Sequence, residues 1–185
     1  MKSYMPFDEG AFDLNDCFLL SCIAVAYGFM YMLPKRFPLS VAFLLMLFSS
    51  TVSSMLDNST GGNIFDLYDI MDGPAYTIMD FVVYLLYAPA GYFFIYFYDR
   101  FRVKEIWTIV YITCWSLLST LFEWVCLNFE VFHYKKGYLI CYSFCIYIAS
   151  QTAIVLFYRF IAGKHDPTAD QIKRASQHEN GDMAP

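Results

Sequence analysis

Five long apolar runs, each near the length that a membrane-crossing helix needs, are spaced along the chain. An α-helix rises about 1.5 Å per residue, so about 20 residues cross a hydrocarbon core that is about 30 Å thick. The first two runs are separated only by Pro34-Lys35-Arg36, which requires a tight helical hairpin. The pattern predicts an all-α integral membrane protein with five transmembrane helices, at about residues 17–33, 37–56, 76–98, 106–129 and 138–161.

Polar segments flank this predicted membrane domain, residues 17–162. Residues 1–16 are acidic where a signal peptide would be basic, and no small-residue cleavage site follows the first run. We therefore expect a retained first helix. Residues 163–185 are polar, carry mixed charge and have few apolar residues, which predicts a disordered tail.

Basic residues are distributed unevenly between the two sides of the predicted domain. Nine of the twelve Lys and Arg residues lie on one side, whereas the long loop over residues 57–75 on the other side has four Asp and no basic residue. Because cytoplasmic loops carry the excess of Lys and Arg, we expect residues 1–16 to be extracytoplasmic and the tail to be cytoplasmic.

Composition narrows the functional classes. The chain is 58% hydrophobic and 16% charged, whereas a soluble domain is about 45–50% apolar and about 25% charged. A net charge of −5 leaves no basic surface for nucleic acid. The high apolar content makes the lipid bilayer the expected partner. The sequence has no nucleophile elbow, phosphate loop or dinucleotide fingerprint, so it predicts no catalytic residue and no cofactor.

Two acidic residues, Asp80 and Glu123, lie inside predicted spans. An ionisable residue there is costly and usually faces the protein interior, which makes it a candidate functional residue. Hydroxyl and amide side chains recur at helical spacing on four of the spans. The sequence thus favours an outward-facing polar pocket whose candidate ligand-binding residues are Asp80, Glu123, Tyr84, Thr120 and Gln151. The polar stripes on these and the neighbouring spans include Tyr87, Ser116, Ser143, Tyr147, Ser50, Ser53 and Asp57.

Other interpretations of these polar stripes remain open. Hydroxyl and Gln side chains also join transmembrane helices through hydrogen bonds worth about 0.6 kcal/mol each. The leading hypothesis is a sensor or carrier of a small polar or cationic solute. One alternative is a structural or assembly scaffold that binds a membrane protein partner or a second copy, and another is a membrane enzyme acting on lipid or polyprenyl substrates.

Two further patterns resemble metal sites without completing one. Asp66, Asp69 and Asp72 are spaced three apart in the long acidic loop, but the ligand pattern of an EF-hand is absent. Glu130 and His133 form one Glu-x-x-His, whereas di-iron bundles need two such motifs and two more Glu. The sequence therefore predicts no metal site.

Three stretches carry a family resemblance. They are Pro34-Lys35-Arg36, the stretch from FDLYDIMDGPAY at residue 65 through YLLYAPAGYFFIYFYDRFRVK at residue 84, and YITCWSLLSTLFEWVCLNFEVFHYKKGY from residue 111 together with Tyr142-Ser143. On these residues the chain resembles a family of small multi-spanning membrane proteins of spore-forming Gram-positive bacteria. The resemblance implies a bacterial plasma or spore membrane and five helices. It implies no reaction and no catalytic residue, because the family has none established.

Overall fold

The computed structural model describes residues 12–61, 65–71 and 78–164 of the chain. Five of its helices are long and apolar enough to cross a membrane, which confirms the predicted fold class. Most of the predicted N-terminal segment and of the predicted disordered tail lies outside the described residues. The elements in chain order are α1 (Leu14–Met32), α2 (Leu39–Thr60), β1 (Tyr68–Ile70), α3 (Ile78–Arg100), α4 (Trp107–Asn128), β2 (Phe132–Tyr134) and α5 (Ile140–Lys164).

Helix α1 begins before its predicted apolar run, and α2 ends after its run. Asp13 caps α1, since its side chain accepts from Asn15 N at 3.0 Å while Asp16 accepts from Asp13 N at 3.2 Å. At the other end of the hairpin, α2 continues to Thr60 and so includes Asp57. Its last turns are polar yet remain helical, and their side chains donate to carbonyls four residues earlier, as Thr60 does to Leu56 O at 2.8 Å.

The outer surface of the bundle is strongly apolar. Leu39 is 86% exposed, Leu117 is 56% exposed and Leu121 is 57% exposed, and many other large apolar side chains are similar. Such a surface would favour aggregation in water. It is the expected surface of a transmembrane bundle, whose helices associate through packing and hydrogen bonds while apolar side chains face lipid.

Helices α2 and α3 approach each other closely because small residues lie where they cross. Gly91 lies against Ser49, and a Cβ atom added at Gly91 would be 2.0 Å from Ser49 Oγ. Two serines of α2 also donate to carbonyls of α3, Ser49 to Tyr87 O at 3.1 Å and Ser50 to Tyr84 O at 3.0 Å. Small residues and interhelical hydrogen bonds are the usual basis of helix association in membranes.

Pro89 interrupts the hydrogen-bond ladder of α3. Proline has no N–H, so the carbonyl four residues earlier, that of Leu85, lacks its helical donor. The phenol of Tyr27 in α1 donates to Leu85 O at 3.1 Å. Helix α1 therefore supplies a hydrogen bond that α3 cannot make for itself, as membrane helices with internal proline require.

One end of the bundle, here called the basic end, holds the α1–α2 and α3–α4 loops. Arg36 in the first loop donates to Asp99 Oδ2 at 2.6 Å, and Tyr158 of α5 donates to Asp99 Oδ1 at 2.8 Å. An apolar core fills the neighbouring half of the bundle. Its buried members are Val41, Leu45, Phe94, Ile95, Tyr98, Ile112, Ile154 and Val155.

The opposite end, here called the cap end, is covered by a small sheet. Strands β1 and β2 pair antiparallel, with Tyr68 opposite Tyr134. Lys135, directly after β2, forms ion pairs with Asp66 at 3.2 Å and Asp69 at 2.6 Å. These two loop segments, residues 65–71 and 131–138, are called the cap below.

Candidate polar cavity beneath the cap

A cavity of about 110 Å³ lies among α2, α3, α4 and α5, directly beneath the cap. At about 30 Å³ for each water molecule, it has room for about four. Two carboxylates, those of Asp57 and Glu123, line it together with the amide of Gln151. Phe94 and Trp115 form part of its wall toward the apolar core. The cavity is therefore a polar compartment inside the membrane domain.

Asp57 lies one turn before the end of α2, where it faces α3 and the cap. Tyr68 of the cap donates to Asp57 Oδ1 at 2.6 Å, and Tyr87 of α3 donates to Oδ2. The Tyr68 oxygen also lies 2.8 Å from Thr60 Oγ1. Each oxygen of this carboxylate is therefore stabilised by a neutral phenol and not by a basic side chain.

Glu123 lies on α4 and is 5% exposed. Tyr134 of the cap and Ser143 of α5 donate to its Oε1 at 2.5 and 2.6 Å, and Tyr147 of α5 donates to Oε2 at 2.7 Å. The oxygen of Tyr138 lies 3.0 Å from that of Ser143 and extends the network into the cap. The hydroxyl groups replace the water that a buried carboxylate would lose.

The cap connects the two acidic residues. Tyr68 and Tyr134 are direct partners in the β-sheet, and each donates to one carboxylate. Burial, reinforced by the neighbouring carboxylate, raises the pKa of Tyr68 and of Tyr134 well above the ordinary value, so both phenols keep their protons as donors. Movement of the cap away from the bundle would break hydrogen bonds to both acids.

The cavity is electrostatically negative. Among the described residues that line it, none is Lys, Arg or His, and its two carboxylates interact electrostatically. The lysines of the cap are already paired, because Lys135 contacts Asp66 and Asp69 and Lys136 contacts Asp66. The lysines in turn hold the pKa of Asp66 below its ordinary value. Positive charge from elsewhere would be stabilised in this compartment.

Gln151 of α5 lines the cavity and forms hydrogen bonds with α4. Ser116 donates to Gln151 Oε1 at 2.8 Å, and Gln151 Nε2 donates to Ser119 Oγ at 3.1 Å. Both ends of the amide are thus held in place by α4. This side chain links α4 to α5 and gives the cavity a fixed polar wall.

No family model, curated protein or solved structure matches this chain. These comparisons therefore identify no family. The five candidate membrane helices are the feature that the chain shares with other multi-span membrane proteins. The resemblance to proteins of spore-forming bacteria stays a hypothesis. The function has to be argued from the geometry of the cavity.

The structure brings two of the five predicted site residues into the cavity, Glu123 and Gln151. Asp80 is buried near the start of α3 and is not among the described residues that line the cavity. Tyr84 and Thr120 are half-buried outside this lining as well. The Tyr84 phenol accepts a hydrogen bond from an amide of α2 at 3.1 Å, and Thr120 donates to a carbonyl of its own helix at 2.8 Å.

Sequence reasoning missed Asp57 and the two cap tyrosines as site residues. The spacing of Ser50, Ser53 and Asp57 places them on one face of a helix, and this spacing could have identified Asp57 as a site residue. The charge of Asp57 instead predicts the end of the span. In the structure the helix continues past it. Tyr68 and Tyr134 reach the acids through strand pairing, and no spacing in the sequence indicates that pairing.

Two of the residues that resembled metal ligands form ion pairs instead. Asp66 and Asp69 are paired with lysines of the cap, and Asp72 lies outside the described residues. His133 is exposed on β2, and Glu130 is exposed just before that strand. Within the part of the chain that the structure describes, no three His, Cys, Asp or Glu residues are grouped as metal ligands would be.

Proposed function

We propose that the protein binds a small cation in the cavity beneath the cap and acts as a membrane sensor or carrier of that solute. The observation that carries the proposal is the pair Asp57 and Glu123, which line one cavity without a basic residue in its described lining. Two such charges inside a membrane are costly, and a bound cation or protons would offset that cost.

Several features support an outward-facing arrangement. By the positive-inside rule, the end rich in Lys and Arg is cytoplasmic, so the cap end faces outward. The apolar core fills the half toward the basic end, so a solute would reach the cavity through the cap. The family resemblance places the protein, within this proposal, in a bacterial plasma or spore membrane.

The test is cation-dependent thermal unfolding of the full chain purified in detergent. Melting would be followed with Na⁺, K⁺, Mg²⁺, Ca²⁺ or methylammonium chloride at constant ionic strength. A cation at a hundred times its Kd stabilises the folded state by about 2.7 kcal/mol, or about 5–10 °C for a chain of this size. Asp57→Asn and Glu123→Gln keep the side-chain size and are expected to remove this response.

A matched control separates site charge from net charge. Glu130→Gln removes one negative charge from an exposed position outside the cavity lining, and it is expected to leave the response intact. If no cation stabilises the wild type, the proposal is wrong. A scaffold would then be the better interpretation, especially if the protein co-purifies with a stoichiometric partner.

A further inference from the structure

Aromatic residues form a large part of the cavity wall, beside five serines and the amide of Gln151. Four tyrosines line it, together with three aromatic residues that have no hydroxyl group, Phe94, Trp115 and Phe132. All four phenols are used in the hydrogen-bond network of the acids and of Ser143. What remains for a ligand is therefore a set of ring surfaces, the unused acceptor sites of two carboxylates and the neutral oxygens of serine and Gln151 side chains.

The supply of free charged oxygen ligands is small. A carboxylate has about four acceptor sites; Asp57 already accepts two hydrogen bonds and Glu123 accepts three. Together about three carboxylate sites remain, so a metal ion would have to complete its coordination with neutral oxygens of serine, Gln151 or water. An ammonium ion needs fewer oxygen ligands and can use the rings instead.

The size of the cavity favours a small ligand. A cavity of about 150 Å³ accepts benzene, which has six non-hydrogen atoms. A cavity of about 110 Å³ therefore accepts about four or five such atoms. Methylammonium fits easily, and tetramethylammonium is near the limit.

We infer that the cation is a small organic ammonium ion, bound between the carboxylates of Asp57 and Glu123 and the rings of Trp115, Phe94 and Phe132. Aromatic rings attract such cations through their negative faces, and tryptophan does so most strongly. An N–H or N–CH₃ group needs few oxygen ligands, which matches what this cavity still offers. The inference rests on the proposed cation-binding function and specifies its ligand class.

The fluorescence of Trp115 can show whether the cation binds at this cavity. The chain has three tryptophans, and two of them, Trp107 and Trp124, are exposed at 68% and 55%. A variant with Trp107→Phe and Trp124→Phe reports on Trp115 alone. Its fluorescence would be titrated with methylammonium, tetramethylammonium and K⁺ chloride at constant ionic strength, alongside melting of the wild type.

The expected result is saturable quenching and stabilisation by at least one ammonium ion, with K⁺ at least tenfold weaker. Replacing Trp115 by Leu is expected to weaken ammonium binding about tenfold, and Phe132→Leu, which changes only the cap wall, provides a second test. Trp124→Leu is the matched control, since this residue of the same helix is exposed and lines no part of the cavity. It is expected to leave binding unchanged in the melting assay.

The outcomes separate the two proposals. If K⁺, Na⁺ or a divalent ion stabilises the protein as well as the ammonium ions do, the ammonium inference is wrong while cation binding stands. Ammonium binding that neither aromatic substitution weakens also overturns the inference. If none of these cations has an effect, both proposals are wrong.

Discussion

The crossing of α2 and α3 offers the sharpest test of the structure, through Gly91→Ala. The new Cβ would lie 2.0 Å from Ser49 Oγ and 2.2 Å from Ser49 Cβ. Carbon atoms pack at about 3.5–4.0 Å, so the two helices would have to separate by more than 1 Å. No rotamer of Ser49 relieves the clash, because its Cβ atom is fixed to the backbone.

The magnitude follows from three contributions. Overpacking costs about 1–3 kcal/mol, and losing the bond from Ser49 to Tyr87 O adds about 0.6 kcal/mol. The better helix propensity of alanine offsets up to about 1 kcal/mol. We expect a net destabilisation of about 2 kcal/mol, and since both residues line the cavity, weaker cation binding as well.

The assay is unfolding in mixed detergent micelles, with Gly28→Ala as the matched control. Gly28 also lies inside a membrane helix, but a Cβ atom there has no neighbour within 4 Å. That variant is expected to be as stable as the wild type or more stable by up to about 1 kcal/mol.

A second substitution tests the mechanism. Ser49→Gly removes both clashing atoms and leaves Ser49 Cα at 3.6 Å from the new Cβ, an ordinary contact. Combined with Gly91→Ala, it should restore most of the lost stability. The reasoning is refuted if Gly91→Ala unfolds like Gly28→Ala, or if the double variant is no more stable than Gly91→Ala alone.

Three other predictions address the remaining parts of the architecture. Tyr27→Phe removes the donor to Leu85 O and should destabilise the protein by about 1 kcal/mol in the same unfolding assay; no change would mean that another group satisfies that carbonyl. The cap should have its highest protection factors for amide hydrogen exchange between about pH 4 and pH 10. Lys136 and Lys135 lower the pKa of Asp66 from 3.8, and Asp69 and Asp66 raise that of Lys135 from 10.5; protection lost inside this window at low salt would contradict the assignment. Tyr134→Phe leaves a carboxylate oxygen with one donor fewer and should increase hydrogen exchange of the cap strands, whereas unchanged exchange would show that this phenol does not hold the cap.

Much of the fold follows from the sequence because the constraints on it are local. A helix that crosses a bilayer must be about 20 residues long and must satisfy its own backbone hydrogen bonds, so length and apolar composition identify each span. Where the ends differ, tertiary contacts contribute, as at Asp57, which α2 includes and whose carboxylate accepts hydrogen bonds from Tyr68 and Tyr87. The acidic Glu123 could also be recognised, since an acid inside a span is unusual whatever its partners are.

The composition of the cavity was decided only by the tertiary structure. Polar stripes occur on several spans, and the sequence does not determine which of them face one another, because helix rotation depends on contacts such as that of Gly91 with Ser49. The pairing of β1 with β2 then brings Tyr68 to Asp57 and Tyr134 to Glu123. Helices form from neighbouring residues, whereas this cavity forms from residues far apart in the chain whose proximity only packing establishes.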